Sequence, residues 1–361
     1  MNSIQIKHRT RNLGQWLKKI TVGVIGGYHG GNLGDIALGE SVLEVLHKRS
    51  VKSGLQTIYN LEKWPSTPYA IIGGGAIGYI DSLRKIVNRY NGDYSKIALL
   101  GVDFNEDQYP DDCKNLFQNS AYVSCRSQKQ SNKIQQLVPG KEIFNHPDLT
   151  FSFRMNYCEN IRNKPKEHSI KKLLINVVPL YSEISNGQIK PQMRFKNERP
   201  ELFENFETMH ACYKKVIQTA VNKAILDGYV VESLPFAQED ELFSKIILEG
   251  LPVKLNKFVS NPDSILKFMA KADWIISTRF HATIFAMKLG LKFTPIAYAV
   301  KNELLLLEGG IDRTQFLTTG DMANGVSTLP PPIKVDSKLI KQWAERSHNA
   351  ISNSINSLKL V

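Results

Sequence analysis

Cysteine is scarce in this 361-residue chain, and Cys113, Cys125, Cys158 and Cys212 have neither a paired framework nor metal-ligand spacing. Reduced thiols in a cytoplasm are their simplest reading. No window approaches the long uncharged apolar run that a membrane helix requires. A secretory leader is not expected either, because Lys7, Arg9, Arg11, Lys18 and Lys19 interrupt the N-terminal stretch early. The eight histidines are dispersed, with no His-x-x-x-His or paired-carboxylate pattern, so no metal is expected. An aromatic-spaced RNA-binding signature, a zinc finger and a clear helix-turn-helix are all missing, which argues against a nucleic-acid partner. Acidic residues are the minority: 34 Asp and Glu face 46 Lys and Arg, for a net charge of +12. Such a field attracts polyanions, anionic membrane surfaces and small acidic substrates alike, and a generally basic surface accounts for most of it. The 42% hydrophobic and 22% charged residues suit a globular chain long enough for two ordinary domains.

What is present is a repeated alternation of short apolar runs with amphipathic stretches. Residues 1–20 form a basic tail whose Ile4, Ile6, Leu13, Trp16 and Leu17 predict a weak membrane-surface contact over 7–19. A first domain is expected over 21–155, with strands at Thr21–Ile25, Tyr69–Ile72, Lys96–Leu100 and Tyr122–Ser124 and a helix from about Asp35 to Lys48. The polar stretch 156–172 reads as a linker. A second domain over 173–330 follows, with strands at Leu173–Val178, Tyr229–Leu234 and Trp274–Ile276. Its helices are expected at Thr208–Asp227 and Asp240–Leu248, from Asn261 onward, and at Ala282–Leu289, ended by Gly290. Residues 188–200 lack an apolar period and predict a mobile loop or lid, and 331–361 a final helix and tail. The fold class is therefore α/β: two Rossmann-like, doubly wound domains facing a cleft.

Four segments carry chemistry. Ser277-Thr278-Arg279-Phe280-His281-Ala282 puts a fixed cation and a proton carrier at a strand-to-helix junction, where free helix amides favour anions. Lys301 follows the next apolar run and is expected at the same place. In Gly26–Asp35, five glycines stand beside Asn32 and Asp35, a pattern that suits either a tight turn capped by Asp35 or a loop facing a ligand. Gly73-Gly74-Gly75 closes another strand, and its amides either face a crevice or merely satisfy a demanding turn. Arg126, at the end of a third run, offers a planar fork to a carboxylate or phosphate.

In this order the segments resemble the polysaccharide pyruvyl transferase family over residues 21 to 320. The matching elements are Gly-Asn-Leu-Gly-Asp at 31–35, the triple glycine 73–75, Arg126-Ser127, Pro147-Asp148, Pro235-Phe236 with Asp240, the 277–282 run, Tyr298 and Lys301. Ile36, where an acidic residue is common, and Ala299-Val300, where a more polar turn is common, depart from the pattern. The resemblance implies a GT-B-like pair of domains and transfer of the pyruvyl group of phosphoenolpyruvate to two hydroxyls of one sugar. A cyclic ketal forms and phosphate is released, in cell-surface or exopolysaccharide synthesis. It implies that Arg126, Arg279 and His281 line the donor site, with Lys301 as a further cation and Gly74, Gly75 and Asn32 as substrate contacts. His281 is the expected acid, since an imidazole with its ordinary pKa of about 6.5 exchanges protons near neutrality, and Asp35 the expected partner of the acceptor hydroxyl. No cofactor is implied beyond the donor itself. A lipid-linked oligosaccharide acceptor would place the protein at the inner membrane face. A glycosyltransferase using a nucleotide sugar and a non-catalytic binder of anionic glycans are the competing readings.

Overall fold

The computed structural model describes residues 20–28, 30–75, 77–104, 106–163, 170–185 and 187–360. The expected membrane contact over 7–19, the loop residue His29 and part of the expected linker lie outside these. The chain divides into two compact units: one ends at Met155 and takes the chain back from Lys341 onward, and the other is Asn156–Ile340.

In the first unit, Val22–Gly26 (β1), Ser53–Thr57 (β2), Tyr69–Gly75 (β3), Ile97–Val102 (β4), Tyr122–Cys125 (β5) and Phe144–Asn145 (β6) make a parallel sheet in the order β2-β1-β3-β4-β5-β6. Its inner strands β1, β3, β4 and β5 are buried on both faces, and successive residues divide between two cores, as a period of two demands. Ile25, Ile72, Leu99 and Val123 join the core with Leu83, Ile86, Leu116, Phe117 and Ile134 of three covering helices. Val24, Ile71, Ala98 and Leu100 face Leu38, Val42 and Leu46 of the helix Leu33–Lys48. The final helix, Ser337–Ser357, packs on that same face through Ala350, Ile351 and Ile355. Trp343 meets Phe151 edge-on at 5.0 Å, and Ser347 donates to the Asp148 carbonyl at 2.9 Å.

The second unit repeats the plan. Lys171–Ile175 (β7) is followed by a small antiparallel hairpin, Ser182–Ser185 (β8) with Gln188–Pro191 (β9). Tyr229–Ser233 (β10), Trp274–Ser277 (β11), Lys292–Ala297 (β12) and Leu317–Thr318 (β13) complete a parallel sheet ordered β10-β7-β11-β12-β13. The long helix Phe206–Leu226 covers it with Met209, Tyr213, Val216 and Ile217 against Ile175, Val231 and Ile276. Among the described residues no helix is long and apolar enough to cross a membrane.

Two expectations give way here. The stretch read as a linker holds a helix, Met155–Arg162, and the start of β7. Its Cys158 is buried, and Arg162 donates to the Lys288 carbonyl at 2.5 Å, so its polar composition hides a docked element. The stretch read as a mobile lid is β9, a 3₁₀ turn at Met193–Phe195 and a short helix, Pro200–Glu204. Leu180 and Tyr181 enter the hairpin with positive φ (31° and 62°), and the Tyr181 ring is fixed edge-on to Phe195 at 5.0 Å.

His210, on the long helix, packs on Phe206 with ring centroids 4.5 Å apart and lies 3.3 Å from the Leu180 carbonyl. Burial pushes its pKa down to about 4, against the pull of that carbonyl. The unfolded chain therefore takes up a proton near pH 6.5 that the folded chain refuses until about pH 4. This contribution to stability is intact above pH 6.5 and is lost as pH falls from there toward 4, at about 1.4 kcal/mol per unit. Urea midpoints between pH 7 and 4.5 should fall more steeply for the parent protein than for His210→Gln; parallel slopes would remove this linkage.

Candidate functional site

In each sheet the chain reverses its winding at one place, and ligands of open α/β sheets bind outside the strand ends there. In the second unit the reversal lies between β7 and β11. Asn176 follows β7, and its side-chain oxygen accepts from the backbone amides of Arg279 at 2.7 Å and Thr278 at 3.3 Å. Its amide nitrogen donates to the Leu234 carbonyl at 2.8 Å, so one side chain ties three strand ends together. Arg279 caps the helix Phe280–Lys288 with an extended backbone, which leaves its side chain outside the helical array.

The Arg279 guanidinium faces Asp240, donating from Nη2 at 2.7 Å and from Nε at 3.2 Å to the same carboxylate oxygen. Nη2 also reaches Glu239 at 2.6 Å, whereas Nη1 bonds to none of the described residues. Asp240 is fully buried and accepts the backbone amides of Phe236 at 2.9 Å and Ala237 at 3.0 Å. Burial works against the charge of Arg279, but the adjacent Asp240 carboxylate outweighs it and holds the guanidinium pKa above its ordinary value. Arg279 is thus the outer half of an ion pair with buried Asp240, with one face of its fork left over.

Lys301 lies in the first turn of the helix Val300–Glu308, after the neighbouring strand β12, with Nζ 5.4 Å from the Phe280 ring centroid. His281 is the second residue of the Phe280–Lys288 helix, which starts two residues before the expected Ala282, and only 9% exposed. Its ring meets Phe280 edge-on at 5.2 Å. Tyr298, between β12 and Lys301, accepts a hydrogen bond at its carbonyl from the Tyr181 hydroxyl, which joins the hairpin to this end of the sheet. The structure therefore brings Arg279, His281 and Lys301 to adjoining strand ends of one unit.

Asn32, Asp35, Gly74, Gly75 and Arg126 belong to the first unit. Its winding reverses between β1 and β3, so Gly74 and Gly75 stand at the equivalent place. Asn32, not Asp35, caps the helix Leu33–Lys48, accepting from the Gly34 amide at 3.0 Å. Asp35, in the first turn, turns its carboxylate toward the backbone of Gly27 and Gly75; a Cβ added at either would lie 3.7–3.8 Å from it. Gly74 answers to packing: with φ of 77°, a Cβ there would meet Leu38 at 2.7 Å. Gly75, with φ of 97°, answers to conformation.

The expectation that Arg126 presents its fork to substrate does not match its surroundings. Nε and Nη2 both bond Asp103, the former at 2.9 Å, and Nη1 reaches Asp148 at 2.6 Å. Asp148 in turn accepts from the Thr150 amide and hydroxyl at 2.9 and 2.6 Å. With its side chain 7% exposed, Arg126 fastens the loops that follow β4, β5 and β6. His146 beside it is a structural group as well. Its Nδ1 donates to the Pro147 carbonyl at 2.7 Å and its Nε2 accepts from Ser124 at 2.9 Å, with both residues buried.

Sequence reasoning singled out neither Asn176, Glu239 and Tyr181 nor Asp103. An asparagine directly after a buried strand was the available signal for Asn176; for the others the sequence offers none. Among the described residues no group of three His, Cys, Asp or Glu is placed to hold a metal ion.

A family model described as polysaccharide pyruvyl transferase matches residues 32–299. None of the curated proteins matches the chain. Among solved structures, Staphylococcus aureus MnaA with UDP is similar at 10% identity and a TM-score of 0.47, covering 94% of this chain and 97% of that one. The UDP-GlcNAc 2-epimerase of Neisseria meningitidis bound to UDP-GlcNAc gives 10% and 0.46, over 94% and 99%. The Escherichia coli heptosyltransferase WaaC with ADP gives 11% and 0.41, over 90% and 99%.

Proposed function

We propose, for a chain that belongs to the polysaccharide pyruvyl transferase family, that it moves the pyruvyl group of phosphoenolpyruvate onto two hydroxyls of one sugar in a cell-surface glycan. The observation that carries the reading is the family match across residues 32–299, which takes in the Arg279–His281 strand end and the Asp35 loop. Arg279 and Lys301 offer two cations to a donor that carries a carboxylate and a phosphate. Glu239, 59% exposed at its side chain, is the group that such an anion displaces from Nη2 of Arg279, while buried Asp240 keeps its hold.

The reaction runs in two steps. One acceptor hydroxyl oxygen bonds to the central carbon of the donor, and the vinyl π pair takes a proton at the terminal carbon to make a methyl group. His281 supplies that proton, and the hydroxyl proton leaves to a base. The second hydroxyl oxygen then bonds to the same carbon as the bond to phosphate breaks, and phosphate departs with the electron pair and takes up that hydroxyl's proton. No oxidation state changes overall. Incubation with phosphoenolpyruvate and acceptor saccharides should release phosphate in step with a mass gain of one pyruvate ketal. Replacing Arg279 by Lys keeps the charge and loses the fork, and should raise the phosphoenolpyruvate KM about tenfold or more. Phosphate release from phosphoenolpyruvate with no ketal product, or an unchanged KM in the variant, would refute the corresponding part.

A further inference from the structure

Two large aromatic side chains stand out on the first unit at the strand ends where its winding reverses. Tyr59 is 59% exposed and Tyr79 49% exposed. Tyr59 sits in the 3₁₀ turn Ile58–Lys63 that follows β2, and Tyr79 immediately before the helix Ile80–Tyr90 that follows β3. Both therefore rise from the edge that carries Gly27, Gly75 and Asp35. A Cβ added at Gly27 would lie 3.5 Å from the Tyr59 hydroxyl and 3.7 Å from an Asp35 carboxylate oxygen, so both groups approach the same bare stretch of backbone.

An exposed tyrosine on a loose turn would carry no argument, but this turn is fastened. Lys85 donates to the carbonyls of Ile58 and Tyr59, both at 3.2 Å. Arg89, one helical turn on, donates to the carbonyls of Leu61 at 2.6 Å and Trp64 at 2.5 Å, and to Gln56 at 3.1 Å. Two basic side chains thus hold the backbone beneath Tyr59, and their charge is directed at carbonyls. Partial burial, then the neighbouring Asp35 carboxylate, raise the pKa of the Tyr59 phenol. A rigid aromatic surface exposed to water beside a carboxylate fits a ligand with apolar C–H faces and hydroxyl donors; a second negative charge is disfavoured.

We propose that Tyr59 and Tyr79 form a stacking platform for a neutral sugar ring whose hydroxyls reach Asp35 across the bare backbone of Gly27 and Gly75. Resting on the reading above, this gives the acceptor its chemical class, an uncharged pyranose, and assigns two specificity residues on the first unit. A nucleoside diphosphate is the occupant that the adjacent Asp35 carboxylate opposes.

The test uses the full chain, a panel of methyl glycosides of glucose, galactose and mannose, and UDP, with binding read by saturation-transfer NMR and calorimetry. Phosphate release from phosphoenolpyruvate is measured in parallel. At least one neutral glycoside should bind, about tenfold more weakly to Tyr59→Ala and to Tyr79→Ala, with most of the affinity kept in Tyr59→Phe. Gly27→Ala places a methyl between the Tyr59 hydroxyl and Asp35 at ordinary contact distance, and should also weaken binding while leaving the folded fraction unchanged. No glycoside binding, equal binding in all the alanine variants, or UDP binding that depends on Tyr59 in place of a glycoside overturns the platform. Tyrosine-dependent glycoside binding without phosphate release overturns the donor assignment alone.

Discussion

Replacing Asp240 by alanine should cost the protein about 3–5 kcal/mol, the usual penalty for breaking a buried ion pair by removing one partner. The carboxylate is fully buried and takes two donors from Arg279 and two backbone amides, from Phe236 and Ala237. Alanine leaves both amides bare and faces Arg279 with Glu239 alone. Glu239→Ala is the control: its side chain is 59% exposed, and an exposed partner contributes no more than about 1 kcal/mol. Denaturant midpoints of the two variants should therefore separate widely. Equal midpoints would show that Asp240 does not anchor the strand ends. Because Asp240 also aims the guanidinium, its loss should raise the phosphoenolpyruvate KM even in protein that remains folded.

His281→Ala should lower kcat by about 10²–10⁴-fold, the range for one positioned acid or base, with little change in donor KM. His281 sits at the second position of its helix with its ring against Phe280, which the Lys301 ammonium also approaches. That contact fixes the imidazole close to a cation suited to the donor, and alanine removes the proton carrier without disturbing either Arg279 or Asp240. Stability should change less than in Asp240→Ala, which separates loss of chemistry from loss of fold. A variant with near-normal turnover would reassign the acid.

The inner strands of both sheets were legible in the sequence because they are short, apolar and followed by glycine or polar turns, whereas Ser53–Thr57, Phe144–Asn145 and Leu317–Thr318 were not read. That composition is what burial on two faces imposes. The strand-end residues were legible for the same reason: a charged side chain directly after a buried run has only the sheet's carboxyl edge to occupy. What those residues pair with was not legible. Arg279 and Asp240 lie 39 positions apart, and Arg126 and Asp148 lie 22 apart. Nothing local says which of many carboxylates turns inward. The helix Met155–Arg162 and the hairpin at 182–191 were missed because each fully buries a single described residue, Cys158 and Ser182, so that apolar periodicity never rises above the polar background.

The return of the chain to its first unit sets the order in which that unit can be finished. Ile351 and Ile355 cover one face of the sheet holding Val24, Ile71 and Leu100, yet they are synthesised after everything in the second unit. During translation the second unit has its whole sequence available first, and the half-covered sheet of the earlier one must wait with those apolar residues in water. The beginning of the protein is thus the part completed last.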